Sequence, residues 1–490
     1  MLSVNMSPAV LIATVFSAVP LLAASCESLA SLSLPDTTIT SAGVVSANKD
    51  LPPYCRIAAT LKPSSDSDIK VEVWMPVSGW NGKFEAVGNG GWSGAIANNA
   101  LAAAVQRGFA AASTDTGHEG SSARFALDHP EKLVDYGYRA VHEMTVKSKA
   151  IVAAYYAKGA KLSYWNGCSA GGKQGLKEAQ RYPDDFDAII AGAPANNWTG
   201  RAAHGLWIAQ AVHSNEASYI PPSKYALVHN AVLEACDTRD GVKDGILDDP
   251  TRCQFDPKVI ECKGADSSTC LTAPQVEAAR RIYSGVANSR TKEQIFPGLE
   301  PGSELGWGVM AGPQAFGIAQ EHFKYVVFKD PSWDYRTLNF DSDIARAEKT
   351  DNGTINAMDP NLRPFFAHGG KLLQYHGWND WQIAPLSSVN YYKTVLDTLG
   401  GTSKVKDSYR LFMVPGMGHC SSSEGTDHFD MLTAMEQWVE NGRAPDQIIA
   451  ARMKDGAIDR TRPLCPYPQV AVYKGGGSTD EAANFVCRLP

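Results

Sequence analysis

The chain has 490 residues, 44% of them hydrophobic and 20% charged, which is enough apolar content to bury a large core and too much for disorder to be the default. Its 45 basic and 52 acidic side chains leave a formal net charge of −7. No Lys/Arg-rich run is present, so nothing electrostatic points to a nucleic-acid partner.

From the amino end, Pro8 to Ala24 is an apolar stretch that contains Pro20 and closes in Leu22-Ala23-Ala24-Ser25. It is short for a membrane span and reads as a secretory signal over residues 1–25, although no Lys or Arg precedes Lys49. No other long apolar run offers an anchor. The expectation is a protein secreted to an extracellular or periplasmic space, with no membrane partner after cleavage. Ten cysteines, all beyond Ser25, fit a disulfide framework in an oxidising compartment. Nearest-neighbour pairing joins Cys26 with Cys55, Cys236 with Cys253, Cys262 with Cys270 and Cys465 with Cys487, which leaves Cys168 and Cys420 for each other; spacing alone does not decide connectivity. Lipidation of Cys26 fits poorly, because Ala23 is a weak lipobox start and Cys55 would be stranded.

Alternating Ile69, Val71 and Val73 predict a strand, followed by strands at Phe84 to Val87, Phe109 to Ser113 and Leu162 to Trp165. Glu131 to Tyr156 carries a helical apolar stripe of Leu133, Tyr136, Ala140, Met144, Ile151 and Tyr155, interrupted by Lys147 and stopped near Gly159. Ala188 to Gly192 reads as a further buried strand. Strands alternating with helices imply an α/β fold around a mostly parallel sheet. From about Gly200 to Pro364 the pattern changes to Pro-containing loops, four cysteines and scattered aromatics. Strand-like runs return at Lys371 to His376 and Tyr409 to Val414. The expected organisation is therefore one α/β domain, residues 26–199 and 365–490, interrupted by an inserted domain at 200–364.

Gly167-Cys168-Ser169-Ala170-Gly171 fits the Gly-x-Ser-x-Gly nucleophile elbow, between a predicted strand at Lys161 to Asn166 and a predicted helix at Lys173 to Arg181. The α/β-hydrolase fold then orders its partners as Ser, Asp or Glu, His. Asp380 stands just after the Lys371 to His376 strand, and His419 just after the Tyr409 to Val414 strand. Asp427 and Asp430 are weaker rivals for the acid. His419 as general base and Asp380 as its orienting partner supply what a lone serine hydroxyl lacks. Backbone N–H donors for an oxyanion are expected from Ala170 and from Gly90 or Gly91 in Gly88-Asn89-Gly90-Gly91-Trp92. Asp115 and His118 read as a structural loop near the site, and His118, His376 and His428 lack the spacing of a catalytic zinc set.

Between Cys236 and Cys253 lie Asp237, Asp240, Asp244, Asp248 and Asp249 on a glycine-bent loop. Such hard oxygen donors suit calcium, with the carbonyls of Val242 and Ile246 to complete the shell, although the spacing is not that of an EF-hand and a solvated acidic turn has the same composition.

Cys168-Ser169, Asp380 and His419-Cys420, with the aspartate-rich loop inside a long insertion, resemble the tannase and feruloyl esterase family of secreted α/β-hydrolases. The resemblance implies Ser169, Asp380 and His419 as triad and Cys168–Cys420 as the disulfide linking it. It also implies a lid domain with structural Ca2+ on Asp237, Asp240, Asp244 and the carbonyls of Val242 and Ile246, no catalytic cofactor, and hydrolysis of esters of aromatic acids. The expected substrate is a small-molecule or plant cell-wall phenolic ester, most of all a feruloyl ester. Galloyl esters and a terephthalate monoester are the alternatives, and Trp207, Phe316, Phe323, Tyr325 and Trp333 are candidates for setting the choice. Two further readings are a catalytically inactive calcium-dependent carbohydrate-binding protein and a serine peptidase. Sequons at Asn197 and Asn352 matter only in a eukaryotic host.

Overall fold

A computed structural model describes residues 23–421 and 424–490; all but the end of the expected signal segment lies outside them. The strands are β1 (Thr37–Val45), β2 (Tyr54–Leu61), β3 (Ile69–Pro76), β4 (Lys83–Val87), β5 (Ala110–Thr114), β6 (Leu162–Cys168), β7 (Ala188–Gly192), β8 (Val286–Ala287), β9 (Gln294–Phe296), β10 (Lys371–Gly377), β11 (Tyr409–Val414), β12 (Ile448–Lys454), β13 (Ala457–Leu464), β14 (Val470–Tyr473) and β15 (Phe485–Arg488). Nine of them form one sheet in the order β1-β2-β3-β5-β4-β6-β7-β10-β11. The first three strands and the β3–β5 pair are antiparallel, and every pair from β5 to β11 is parallel. This is the α/β-hydrolase plan.

The parallel strands are buried on both faces, as Ala110–Thr114 and Ala188–Gly192 show by having no exposed residue. Alternate residues feed two cores. Trp165 and Ile189 face α3 (Ala140–Tyr156) and its Met144 and Ile151, whereas Tyr164 and Ile190 share the opposite core with Leu101 and Val105 of α1 (Asn98–Gln106) and with Met435 and Trp438. The expected helix from Glu131 is two helices, α2 (Pro130–Val134) and α3, joined through a π turn at Asp135–Arg139. The turn shifts the register, so that Tyr136 leaves the α3 core and packs in a third cluster.

Strands β1 and β2 and the two carboxyl-terminal hairpins, β12 with β13 and β14 with β15, were not among the expected elements. Their Thr-, Ser- and Arg-rich edges bury one face at most, which leaves little apolar periodicity to read. Residues 193–370, between β7 and β10, add no strand to the main sheet. Their core holds Leu206, Ile208, Trp307 and Phe323, but Trp92, Tyr136, Ala170 and Ile383 from the sheet's own loops belong to the same cluster. All five disulfides follow the nearest-neighbour pairing, including Cys168–Cys420. Among the described residues no helix is long and apolar enough to cross a membrane.

Candidate active site

Three loops meet at the carboxyl ends of β6, β10 and β11, where open parallel sheets place their ligands. Strand β6 ends at Cys168 and α4 (Ala170–Arg181) begins two residues later, so Ser169 alone makes the turn, with φ 62° and ψ −121°. The helix starts three residues earlier than the expected Lys173, which puts the serine at its amino end. A positive φ on a residue with a Cβ stores strain. It is held by Ser169 N–H donating to Gly192 O at 2.9 Å, and by Lys173 N and Ala195 N donating to Ser169 O at 3.0 and 3.1 Å. The motif's glycines have a steric cause: a Cβ on Gly167 would lie 2.6 Å from the Gly171 carbonyl carbon. One on Gly172 would lie 2.3 Å from Gly192 O.

His419 places Nε2 2.9 Å from Ser169 Oγ and Nδ1 2.7 Å from Asp380 Oδ2. The serine hydroxyl therefore has an acceptor, and the imidazole N–H on the far side has a carboxylate. Cys168 and Cys420, adjacent to the serine and the histidine, are bonded with Cα atoms 6.0 Å apart, inside the range such a bond permits. Asp427 lies 2.7 Å from its neighbour His428, and Asp430 pairs with Arg107 at 3.0 Å, so neither rival reaches His419.

Asp380 is fully buried and accepts four hydrogen bonds. Oδ1 takes Gln382 N at 2.8 Å and Ile383 N at 3.0 Å, while Oδ2 takes His419 Nδ1 and, at 3.1 Å, His376 Nε2. Burial alone would raise its pKa, yet the His419 charge and the bonds from both imidazoles outweigh burial and hold the carboxyl well below the usual range. His376 was read only as a histidine without zinc spacing. In the fold its Nε2 faces two acceptors, Asp380 Oδ2 and Ile383 O, and its Nδ1 lies 2.7 Å from Ser388 Oγ, which fixes the proton on Nε2. A histidine four residues before the acid was the available signal, and its direction was not.

Ala170 N–H is the first of α4 and has no acceptor within the helix. In the glycine loop, Asn89 N donates to Gln174 Oε1 of α4 at 3.0 Å, and Tyr136, delivered by the π turn, donates from its hydroxyl to Gly91 O at 2.6 Å. The N–H groups of Gly90 and Gly91 donate to nothing among the described residues, and a Cβ on Gly90 would meet open space. Asp115 accepts from Lys70 N and Gly117 N, and His118 Nε2 lies 2.8 Å from Trp92 O, so that loop is structural, as expected.

Beside Ala170 lies a group of buried side chains that sequence reasoning missed. Lys173 Nζ, Arg201 Nε, Trp198 Nε1 and both ring nitrogens of His204 and His322 make no hydrogen bond among the described residues. Lys173 and Arg201 stand over the Trp198 ring and His322 beside the Trp92 ring, the two indoles having centroids 4.7 Å apart, while Arg201 also lies 4.9 Å over Phe316 and His204 packs on Phe296. Burial lowers Lys173 to about 7, and burial with Arg201's charge lowers His204 and His322 to about 3. Lys173 and Arg201 are thus met by aromatic faces, Lys173 Nζ lying 4.6 Å over Tyr136, and not by hydrogen-bond acceptors. Of the aromatic candidates, Phe323 is wholly in the core, and Trp207 donates to Arg281 O at 2.9 Å.

In the acidic loop, Asp237 Oδ1 accepts from Asp244 N and Gly245 N, Asp240 accepts from Val242 N, and Asp244 pairs with Arg462 and Arg460. The three carboxylates are not drawn to within 4.8 Å of one another. The donors are all hard oxygens, and Asp248 lies half-buried beside them, its pKa pushed up to about 8 by loss of solvent and by Asp240's charge. An excess of partly buried carboxylate on a loop closed by Cys236–Cys253 fits a dication in kind. Ile246 also reaches the histidine loop, since a Cβ on Gly416 would lie 2.7 Å from its Cδ1.

A family profile described as tannase and feruloyl esterase matches residues 55–488. The chain belongs to that family. An uncharacterized esterase of Xanthomonas campestris pv. campestris is 38% identical over 95% of this chain and 91% of its own. A probable feruloyl esterase B-1 of Aspergillus fumigatus is 36% identical over 90% of this chain and 87% of its own. The crystal structure of feruloyl esterase B from Aspergillus oryzae superposes with a TM-score of 0.89 at 34% identity, over 94% of this chain and 99% of that one. This member of the family is a carboxylic ester hydrolase.

Two predictions follow from the family member's geometry. His376→Phe removes a hydrogen bond to a charged group, worth ~1.5–3 kcal/mol, so kcat should fall about 10- to 150-fold with KM little changed, and His376→Gln, which keeps an N–H donor, should recover part of the loss. Unchanged kcat in both would remove His376 from the positioning of Asp380. Replacing Cys168 and Cys420 together by serine should keep the sheet by circular dichroism and cost roughly a hundredfold in kcat, the scale of a ~1 Å misplacement; full activity would show that the bond does not position His419.

Proposed function

We propose that the protein is a secreted serine esterase that hydrolyses esters of phenolic aromatic acids, feruloyl esters above all, such as those of plant cell walls. The continuous path Asp380–His419–Ser169 carries the mechanism, and the names of the relatives support the acyl class. His419 Nε2 takes the Ser169 proton as Oγ attacks the ester carbonyl, and the new oxyanion is received by the N–H groups of Ala170 and of Gly90 or Gly91. As the C–O bond to the alcohol breaks, His419 returns the proton to the departing oxygen and leaves an acyl-enzyme. Water, deprotonated by the same nitrogen, attacks the acyl carbonyl; the bond to Oγ breaks, the acid departs and Ser169 recovers its proton. The depressed carboxyl of Asp380 stays ionised throughout and stabilises the imidazolium.

The acyl ring lies, in this reading, against the packed cluster of Trp92, Trp198 and Tyr136, with the donors of Arg201 and His322 nearest to its oxygen substituents. Calcium belongs on Asp237, Asp240 and Asp244 with the carbonyls of Val242 and Ile246, where it would supply charge balance and hold the loop that leans on Gly416. No step of the reaction runs through it. The five disulfides support an oxidising compartment.

Ser169→Ala should leave a folded protein with kcat lower by about 10⁴- to 10⁶-fold, and the wild type should turn over methyl ferulate faster than methyl gallate or a terephthalate monoester. Near-normal turnover in the variant defeats the mechanism; a different order among the esters reassigns the acyl group. Chelation should lower the Tm by a few degrees, as loss of a ligand bound only to the folded state does, without reordering those esters. An unchanged melting curve at saturating chelator argues against the calcium site.

A further inference from the structure

Two turns along the helix that carries the nucleophile, α4 holds a second group of side chains. Glu178 is 1% exposed, and among the described residues neither of its carboxylate oxygens takes a hydrogen bond from an N–H or O–H donor. His142 approaches it from α3, and Asp185 from the loop between α4 and β7. One donor atom from each of the three lies within 4.8 Å of the other two, the one such group among the described residues. We infer that His142, Glu178 and Asp185 form a binding site for a first-row transition dication, zinc foremost, that ties α3 to α4.

The chemistry of the donors selects the ion. Calcium and magnesium take oxygen alone, whereas one imidazole nitrogen with two carboxylates suits zinc, with a fourth position left for water. The frame around the donors is already ordered. Tyr182 stacks on the His142 ring at 3.8 Å and 8°, and its N–H donates to Glu178 O at 2.8 Å, while Asp185 N donates to Tyr182 O at 3.0 Å. His142 Nδ1 and Asp185 Oδ2 are 2.6 Å apart, a contact that zinc, with bonds of about 2.0–2.2 Å to each, would open by less than an ångström. The His142 side chain is 26% exposed, which gives an entry path from solvent.

Two cations already act on this group, and neither donates to its carboxylates: Lys149 donates to the Asp185 main-chain oxygen, and Lys177 to the main-chain oxygens of Gly353 and Asn356. The rival arrangement needs no metal: a proton shared between Glu178 and Asp185, since burial and Asp185's charge push the Glu178 carboxyl well above the usual range. The site is remote from the ester chemistry and serves stability, so its test is independent of the function proposed above.

The experiment uses the full-length protein, stripped with chelator and returned to about 1 mM calcium so that a weak oxygen site is filled. It is then titrated with Co2+ and, separately, with Zn2+ against a chromophoric competitor. The expected result is one equivalent bound, visible cobalt bands typical of four or five ligands, and a zinc-dependent rise in Tm. Glu178→Gln and, at the more exposed position, His142→Asn should each weaken zinc by more than the ~10–100-fold that loss of even an outer partner costs, and should abolish the cobalt bands while keeping esterase activity. Absence of cobalt bands in the wild type, or equal bands and equal zinc affinity in both variants, overturns the site and leaves the shared proton.

Discussion

The bond between Cys168 and Cys420 is the constraint on which the rest of the site depends. It joins the residue before the serine to the residue after the histidine, and both Ser169 and Cys420 hold left-handed backbone, with φ of 62° and 63°. Neither conformation is favoured in isolation. The bond closes a separation of 252 residues, so in the chain-entropy model it removes several kcal/mol of freedom from the unfolded chain. Locally it does something more specific: β6 and β11 are separated in the sheet by β7 and β10, and the bond spans that gap at the loops, where main-chain hydrogen bonding does not.

Backbone contact does the remaining positioning. Gly88, Gly167 and Gly172 let the start of α4 sit against the ends of β4, β6 and β7 at distances where a Cβ would overlap backbone, at Gly171 Cα, the Gly171 carbonyl carbon and Gly192 O respectively. Gln174 of α4 in turn takes the Asn89 N–H, which sets the glycine loop over the helix's amino end. Ser169 and the glycine loop are therefore held on the same helix. The π turn completes the arrangement, since Tyr136 reaches Gly91 O only because the helix register changes between α2 and α3.

Much of this was legible in the sequence, and the limits have physical causes. Ser169, Asp380 and His419 could be found because a hydrolase sheet presents its catalytic side chains just after particular strands, and each strand has a strong apolar run. The disulfides could be paired because four of the five close short loops. His376 could not be assigned, because its role is a direction, Nε2 toward Asp380 and Nδ1 toward Ser388, that depends on the turn following β10. Arg201 and His204 lie on a helix buried nearly all round, so no amphipathic stripe marks them as facing anything, and His322 sits in the buried stripe of a π turn with Phe323, Val326 and Val327, where it reads as core. Glu178 is hidden for the same reason: a glutamate on a helix reads as solvated until the fold covers it.

The insertion and the catalytic loops share one core, and this limits how the enzyme divides its labour. Trp92, next to Gly91, donates its indole N–H to Ile318 O of the insertion at 3.1 Å, and Glu321 accepts from Ala123 N at 2.8 Å. On the other side of the serine, Ile246 packs at Gly416 and His229 lies 3.2 Å from Glu424 of the histidine loop. A segment tied in this way to both the glycine loop and the histidine loop is coupled on two sides to Ser169 and His419. Under the proposed placement of the acyl group by Trp198 and Arg201, specificity is changed with least disturbance of the catalytic atoms by inward-facing side chains there, with the backbone of the insertion left in place.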